Sequence, residues 1–269
     1  MAEIAGRRTP APVRLHVLDG GTINQVGARE FGFADGALPS QMFTPCFLVV
    51  HPRGTLLWDT GEIPDHALNA DGTPTKFRAY TVSQPLLPQL AALGYRPEDI
   101  TYLALSHYHN DHVANANAFA GSVWITQRAE RDAMFSDRPD FARNGPIAPD
   151  RSFFSALEHA ETIVLEGTDH DVFGDGSVLI KFTPGHTPGH QSLFVRLAHT
   201  GPVLISGDLY HYTQELHRSA AFVNHASNDL TSRSRAMIER FAQDEGAQIW
   251  IQHDAAHGAQ LKKFPACYD

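Results

Sequence analysis

Four residues able to bind a metal ion fall within six positions: His107, His109, Asp111 and His112, in Ser106-His107-Tyr108-His109-Asn110-Asp111-His112. Imidazole nitrogen and carboxylate oxygen are the donors a borderline cation such as Zn2+ takes, and a catalytic site built from them keeps one position open for water. The segment follows Tyr102 to Leu105, an apolar run that reads as a short buried strand. The pleat of that strand sends His107 and His109 to one side, and the turn into the following helix sends Asp111 and His112 to another, so one segment can seed two adjacent metals. Three further donors each follow an apolar strand in the second half: His186 in Thr183-Pro184-Gly185-His186, Asp208 in Ser206-Gly207-Asp208, and His253 after Ile249-Trp250-Ile251-Gln252. Hydrolysis is the chemistry two such ions support, because they lower the pKa of a shared water from 15.7 toward ~7 and supply hydroxide at neutral pH.

The elements that must position these donors are legible in outline. Val13 to Leu18 reads as a strand, and Phe47 to Val50 with Thr55 to Trp58 as a hairpin around His51-Pro52-Arg53-Gly54. Ser122 to Ile125 is another strand. In the second half Thr162 to Leu165, Val178 to Phe182, Ser192 to Leu197, Val203 to Ile205 and Gln248 to Ile251 read as strands separated by turn signals. Helices are expected over Ser83 to Leu93, Asp111 to Phe119, Gln127 to Phe135 and Thr231 to Asp244. Strand runs with flanking helices in both halves give an α/β (α+β) class, an αββα sandwich of two packed mixed sheets with helices on the outer faces, in one domain over residues 1–269. Two long irregular stretches, 20–45 and 136–160, are the places for substrate-covering loops; the first is either a lid or hides a short element.

Bulk properties exclude several classes. Lys plus Arg number 21 against 30 for Asp plus Glu, a formal charge of −9, so there is no basic field to attract nucleic acid. No apolar run approaches the ~18 residues of a membrane span, and the two cysteines, Cys46 and Cys267, form no disulfide framework. The reading is a protein of the reducing cytoplasm that binds neither membrane nor nucleic acid, with a homodimer left open. Of the 16 histidines, His51, His66, His159, His170, His199, His217, His225 and His257 are read as surface residues because none has a partner at ligand spacing.

His-x-His-x-Asp-His followed by separate His, Asp and His resembles the hallmark of the metallo-β-lactamase superfamily, and the resemblance covers Phe47 to Asp269. It implies two zinc ions per chain, with iron, manganese or cobalt as alternatives. His107, His109 and His186 would hold the first, Asp111, His112 and His253 the second, and Asp208 would bridge them. Asp59, in Trp58-Asp59-Thr60-Gly61, matches the aspartate that orients the site from behind the ligands. His190 is read as a supporting residue, since the ligand positions are filled without it.

Within the superfamily, Asp208 points away from the zinc β-lactamases, and His109 stands where flavodiiron reductases carry glutamate. RNase Z-like nucleases need a basic surface, and glyoxalase II-like thioesterases need a basic helical tail. The chain is most similar to the N-acyl-homoserine lactonase family, through Pro45-Cys46-Phe47-Leu48-Val49-Val50-His51-Pro52-Arg53-Gly54, His253-Asp254, Leu261-Lys262-Lys263-Phe264-Pro265 and Tyr268. One departure is His211, between Tyr210 and Tyr212, where that family usually carries a tyrosine; a histidine there is similar to the methyl parathion hydrolase group.

The resemblance implies a quorum-quenching hydrolase that opens a lactone, its small-molecule substrate, by attack of a metal-bridging hydroxide. Asp111 would pass the proton to the leaving alkoxide, and Tyr210, His211 or Tyr212 would assist the oxyanion. Phe31, Phe33, Met42, Phe43, Phe141, Phe153 and Phe154 are the candidates to bind an acyl chain. The alternatives on the same fold are a thioesterase, an organophosphate hydrolase and a β-lactamase; a non-catalytic zinc protein is the least favoured.

Overall fold

Alternating apolar side chains place two sheets back to back. The computed structural model describes residues 12–24, 26–69, 71, 79–136, 150–216, 218 and 225–269. Its first-half strands are β1 (Arg14–Leu18), β2 (Thr22–Asn24), β3 (Gln41–Phe43), β4 (Cys46–His51), β5 (Gly54–Trp58), β6 (Tyr80–Thr81), β7 (Tyr102–Ala104), β8 (Val123–Gln127) and β9 (Thr162–Leu165). The second-half strands are β10 (His170–Asp171), β11 (Val178–Phe182), β12 (Gln191–Leu197), β13 (Gly201–Ile205) and β14 (Gln248–Trp250). A six-stranded sheet runs β1-β4-β5-β7-β8-β9, and a five-stranded sheet runs β10-β11-β12-β13-β14.

Side-chain parity explains the layering, because neighbours along a strand point to opposite faces. Phe47, Val49, Leu56 and Trp58 of the first sheet meet Leu193, Val195, Val203 and Ile205 of the second in one buried core. The intervening Cys46, Leu48 and Leu57 point outward, against Leu86 and Leu90 of helix Leu86–Ala92 and Ala133 and Met134 of helix Arg128–Phe135. On the far side Phe194 and Leu204 pack on Ile238 and Phe241 of helix Asn228–Glu245. Four layers result, α, β, β and α. Each fully buried Leu, Ile or Phe contributes roughly 1.5–3 kcal/mol toward offsetting chain entropy.

Parallel pairing then gathers the donors at one edge. β5 and β7 run parallel in register Trp58 with Ala104, and β13 and β14 run parallel in register Ile205 with Trp250. Asp59, Ser106, Ser206 and Ile251 therefore leave their strands at the carboxyl ends. The sheets are stitched there by Gln191, whose N–H and side-chain amide donate to the carbonyls of Ser106 and Leu105, both at 2.9 Å.

The structure decides between the two alternatives left open for the stretch 20–45 and departs from the sequence reading elsewhere. The stretch 20–45 holds β2, β3 and the 3-10 turn Ala28–Phe31, and with β6 it forms a three-stranded antiparallel sheet; strands of two or three residues are too short to show a period. The helix expected over Asp111 to Phe119 is split into Asn110–Val113 and the 3-10 turn Ala116–Phe119. Between them Asn115 leaves helical geometry and its amide donates to the carbonyls of Thr60 and Ile63 at 2.9 and 3.2 Å. His51 is buried, against the surface placement expected of it, with Nε2 3.0 Å from Asp175 Oδ2 and its ring stacked on Phe173 at 4.1 Å. Helix Asn228–Glu245 begins earlier than read because the Ser227 hydroxyl accepts the Leu230 N–H. In the second irregular stretch, residues 150–160 carry two 3-10 turns, Arg151–Phe153 and Ser155–His159, and 137–149 lie outside the described residues. Among the described residues, no helix is long and apolar enough to cross a membrane.

Candidate metal centre

The site is built outward from Asp59, which follows β5 at φ 59, the one positive φ among the described non-glycine residues. That turn lets its carboxylate accept four donors: Ser106 N at 2.6 Å, Ser106 Oγ at 3.0 Å, Gln252 Nε2 at 2.6 Å and His112 Nδ1 at 2.8 Å. With Nδ1–H given to Asp59, His112 has its Nε2 lone pair turned toward the centre. His107 is fixed likewise, since Ser106 Oγ, its proton committed to Asp59, accepts from His107 Nδ1 at 3.0 Å. His253 donates Nδ1–H to the Phe43 carbonyl at 2.9 Å.

Two groups of donors converge. In the first, His186 Nε2 lies 3.2 Å from His107 Nε2 and 3.0 Å from His109 Nδ1. In the second, His112 Nε2 and His253 Nε2 are 3.2 Å apart, each 3.3 Å from Asp111 Oδ2. Asp208 joins them: Oδ1 is 3.2 Å from His112 Nε2 and 3.0 Å from His253 Nε2, while Oδ2 is 3.2 Å from His186 Nε2 and 3.6 Å from His107 Nε2. His107, His109, His186 and Asp208 form one set able to hold an ion, and Asp111, His112, Asp208 and His253 the other, with donor atoms within 4.8 Å inside each set.

The donors fit divalent cations. Imidazole lone pairs face one another across about 3 Å, and Asp208 Oδ1 is buried with no hydrogen bond aligned on it. Burial and neighbouring imidazoles hold His107 far below the usual histidine range, and burial chiefly brings His109 to about 3 and His186 to about 4. Those rings are neutral at pH 7, as a ligand must be. In the other set burial is overridden by Asp111, Asp208 and Asp59, which raise His112, and by Asp208 and Asp111, which raise His253. That surplus of carboxylate is what a cation would neutralise.

His190 stands behind Asp208. Its Nε2 accepts the Asp208 N–H at 2.9 Å while Nδ1 reaches the Thr183 carbonyl at 3.0 Å. The approach needs glycine at 207, where φ is 55 and a Cβ would lie 2.6 Å from His190 Nε2.

Above the donors is a cleft of about 280 Å3. Its walls are Ile23, Val26, Glu30, Phe31, Met42 and Tyr80, and His109, Asp111, His186, Asp208, His211 and His253 face it from below. Phe31 and Met42 are thus brought to the cleft. Phe33 packs on the same apolar cluster with the Arg218 guanidinium 4.5 Å above its ring, outside the cleft lining.

The other aromatic candidates are corrected by their packing. Phe43 belongs to the core between the sheets and serves the site through its carbonyl. Phe154, fully buried, and Phe153 fill the outer layer beneath the first sheet, on the face that helices cover. Phe141 lies outside the described residues. Packing also separates Tyr210, His211 and Tyr212. His211 faces the cleft, with Nε2 3.3 Å from Asp208 Oδ2 and its ring parallel to His253. Tyr210 points into the far helical layer, its hydroxyl donating to Glu239 Oε1 at 2.8 Å, and Tyr212 packs behind Phe31 and donates to the Pro39 carbonyl at 3.3 Å.

Several contributors escaped the sequence reading. Ser106 and Gln252 sit beside ligands yet carry no metal-binding signature. Ile23, Val26, Glu30 and Tyr80 reach the cleft only because the small sheet folds over the donor edge. His225, read as a surface residue, brings Nδ1 to 3.2 Å from His186 Nδ1. Glu215 accepts the N–H groups of His211 and Tyr212 at 2.8 and 3.0 Å and pairs with the buried Arg235 at 2.6 Å, fixing the turn that presents His211.

The sequence profile of the Metallo-beta-lactamase superfamily matches residues 40–243. The chain belongs to this superfamily. Among its relatives there, an N-acyl homoserine lactonase, AttM, of Rhizobium radiobacter is 31% identical, with 95% of this chain and 98% of the relative covered. The N-acyl homoserine lactonase AiiA of Bacillus thuringiensis subsp. kurstaki is 28% identical over 82% of this chain and 84% of its own. Among solved structures of the superfamily, an N-acyl homoserine lactone hydrolase with the product N-hexanoyl-L-homoserine at its catalytic metal centre superposes with a TM-score of 0.75 at 25% identity, covering 95% of this chain and 98% of that one.

Proposed function

We propose that the chain is a dinuclear zinc hydrolase that opens N-acyl homoserine lactones, with His107, His109 and His186 holding one ion, Asp111, His112 and His253 the other, and Asp208 shared. The observation that carries this reading is the division of one buried carboxylate, Asp208 Oδ1 facing His112 and His253 and Oδ2 facing His107 and His186. Mixed imidazole and carboxylate donors favour zinc. The relatives named above favour the lactone, and the unpaired Cys46 and Cys267 favour a reducing compartment.

When bound, two such ions lower the pKa of water toward ~7 and polarise a carbonyl oxygen. The chain's own residues do the rest. Asp111 has the more open carboxylate, its side chain 17% exposed against 4% for Asp208, so it is the group to accept the proton of the attacking water and return it to the leaving alkoxide. His211 offers Nε2 in the cleft as the donor to the carbonyl oxygen as that oxygen becomes anionic. Ile23, Val26, Phe31 and Met42 bury the acyl chain, at ~0.8 kcal/mol per methylene. A second reading, phosphotriester hydrolysis, is favoured only by histidine rather than tyrosine at position 211.

The test is a hydrolysis screen of the purified chain on homoserine lactones of graded acyl length, thioesters, β-lactams and phosphotriesters, with lactone opening followed by acid release. The highest kcat/KM is expected on a lactone; a phosphotriester or thioester turned over well above every lactone overturns the substrate assignment. Elemental analysis is expected to find two ions per chain, and a stoichiometry near one, unchanged in Asp208→Ala, overturns the dinuclear assignment.

A further inference from the structure

The buried carboxylate of Glu130, in the first turn of helix Arg128–Phe135, does not reach the donors, yet it is joined to both loops that carry the first set. Its Oε1 accepts the N–H of Tyr108, the residue between His107 and His109, at 2.8 Å. Its Oε2 accepts the N–H of Gly189 at 2.8 Å, and the hydroxyl of Thr187, next to His186, reaches Oε1 and Oε2 at 2.9 and 2.7 Å. The two loops are 77 residues apart between His109 and His186, and one side chain spans them. Position 189 is shaped for this contact, since a Cβ there would lie 2.4 Å from the Glu130 nitrogen.

We infer that Glu130 is a positioning residue: it sets the separation between the His107-His109 loop and the His186 loop, and through it the affinity for the ion proposed between those three histidines and Asp208. Each carboxylate oxygen meets a backbone N–H, a donor that cannot turn away. Glutamine, of the same size, must aim its own NH2 at one of those donors and push the loops apart. Among the described residues no hydrogen bond from Glu130 reaches Asp111, His112 or His253, so the second ion is touched only indirectly, through the shared Asp208 and the loop that Asp111 and His112 have in common with His109. The effect is therefore selective, unlike that of a residue that merely supports the fold.

The inference rests on the two-ion reading, and one experiment separates the two. The full chain is loaded with Co2+, and its visible absorption and stoichiometry are followed while a chromophoric chelator competes for the metal, in the wild type, Glu130→Gln and Thr187→Val. Wild type is expected to release two ions. In Glu130→Gln one ion is expected to be held about 10–100-fold more weakly, with its absorption bands altered, while the other is weakened less. Thr187→Val, which removes the hydroxyl alone, is expected to weaken the same ion to a smaller degree, and it carries the test should Glu130→Gln fail to fold. Two ions held with wild-type affinity and spectrum in the variants, or both weakened equally, overturns the inference and leaves the dinuclear reading standing. A wild type that holds a single ion overturns both.

Discussion

His190 accepts the backbone N–H of Asp208 at 2.9 Å, so the position of the carboxylate shared by the two donor sets is fixed through its main chain by a histidine that is not itself a donor. Removing the acceptor in His190→Ala is expected to weaken metal binding about 10–100-fold, with kcat falling in step. His190→Gln, whose side-chain carbonyl can still accept, is expected to recover part of the loss. Chelator competition and kinetics on both variants check this, and equal losses would remove the hydrogen bond from the explanation.

The same ring makes a pH prediction. Burial, the largest influence, lowers His190 from 6.5 to about 3. Between those values the unfolded chain takes up a proton that the folded chain excludes, so the native state loses stability as pH falls from about 6.5 toward about 3. His190→Gln has no proton to exclude. Urea midpoints of wild type and variant, measured at pH 7 and pH 4.5, are expected to shift in the variant's favour at the lower pH; a difference that stays constant would contradict it.

His211 and Tyr210 are neighbours with opposite orientations, and their variants should separate cleanly. His211→Ala is expected to lower kcat about 10²-fold with modest change in KM, as for loss of one oxyanion donor. Tyr210→Phe, which removes a hydroxyl bonded to Glu239 on the far side of the sheet, is expected to keep kcat and lose about 1 kcal/mol of stability.

Phe31 and Phe154 test the division between cleft and core. Phe31→Ala is expected to raise KM more for long-chain than for short-chain lactones, because Phe31 lines the cleft. Phe154→Ala is expected to cost about 3–5 kcal/mol of stability with KM unchanged, since that ring is wholly buried against the outer helices. Thermal melts and a chain-length series on both variants supply the comparison.

Much of this molecule was written in local pattern. Most strands of both sheets are visible because apolar side chains alternate or run together over three to seven residues, and Thr162–Leu165 and Val178–Phe182 begin and end where the pattern does, whereas the two polar residues of His170–Asp171 carry no such pattern. The donors were visible because imidazole and carboxylate are rare side chains to find together at a strand end, and His107 to His112 crowds four of them into six residues. What the sequence determined by itself was therefore the two-sheet class and the roster of donors. Which oxygen of Asp208 faces which histidines, that His211 rather than Tyr210 or Tyr212 meets the cleft, that Phe43, Phe153 and Phe154 are packing, and that Glu130 ties two ligand loops together were decided by tertiary structure alone. The reason is physical: a residue's type and its parity along a strand are local properties, whereas the face it meets depends on which element lies opposite. Short strands such as Thr22–Asn24 and Gln41–Phe43 are held by their partners and by the donor edge beneath them, so the cleft they roof leaves no period in the chain.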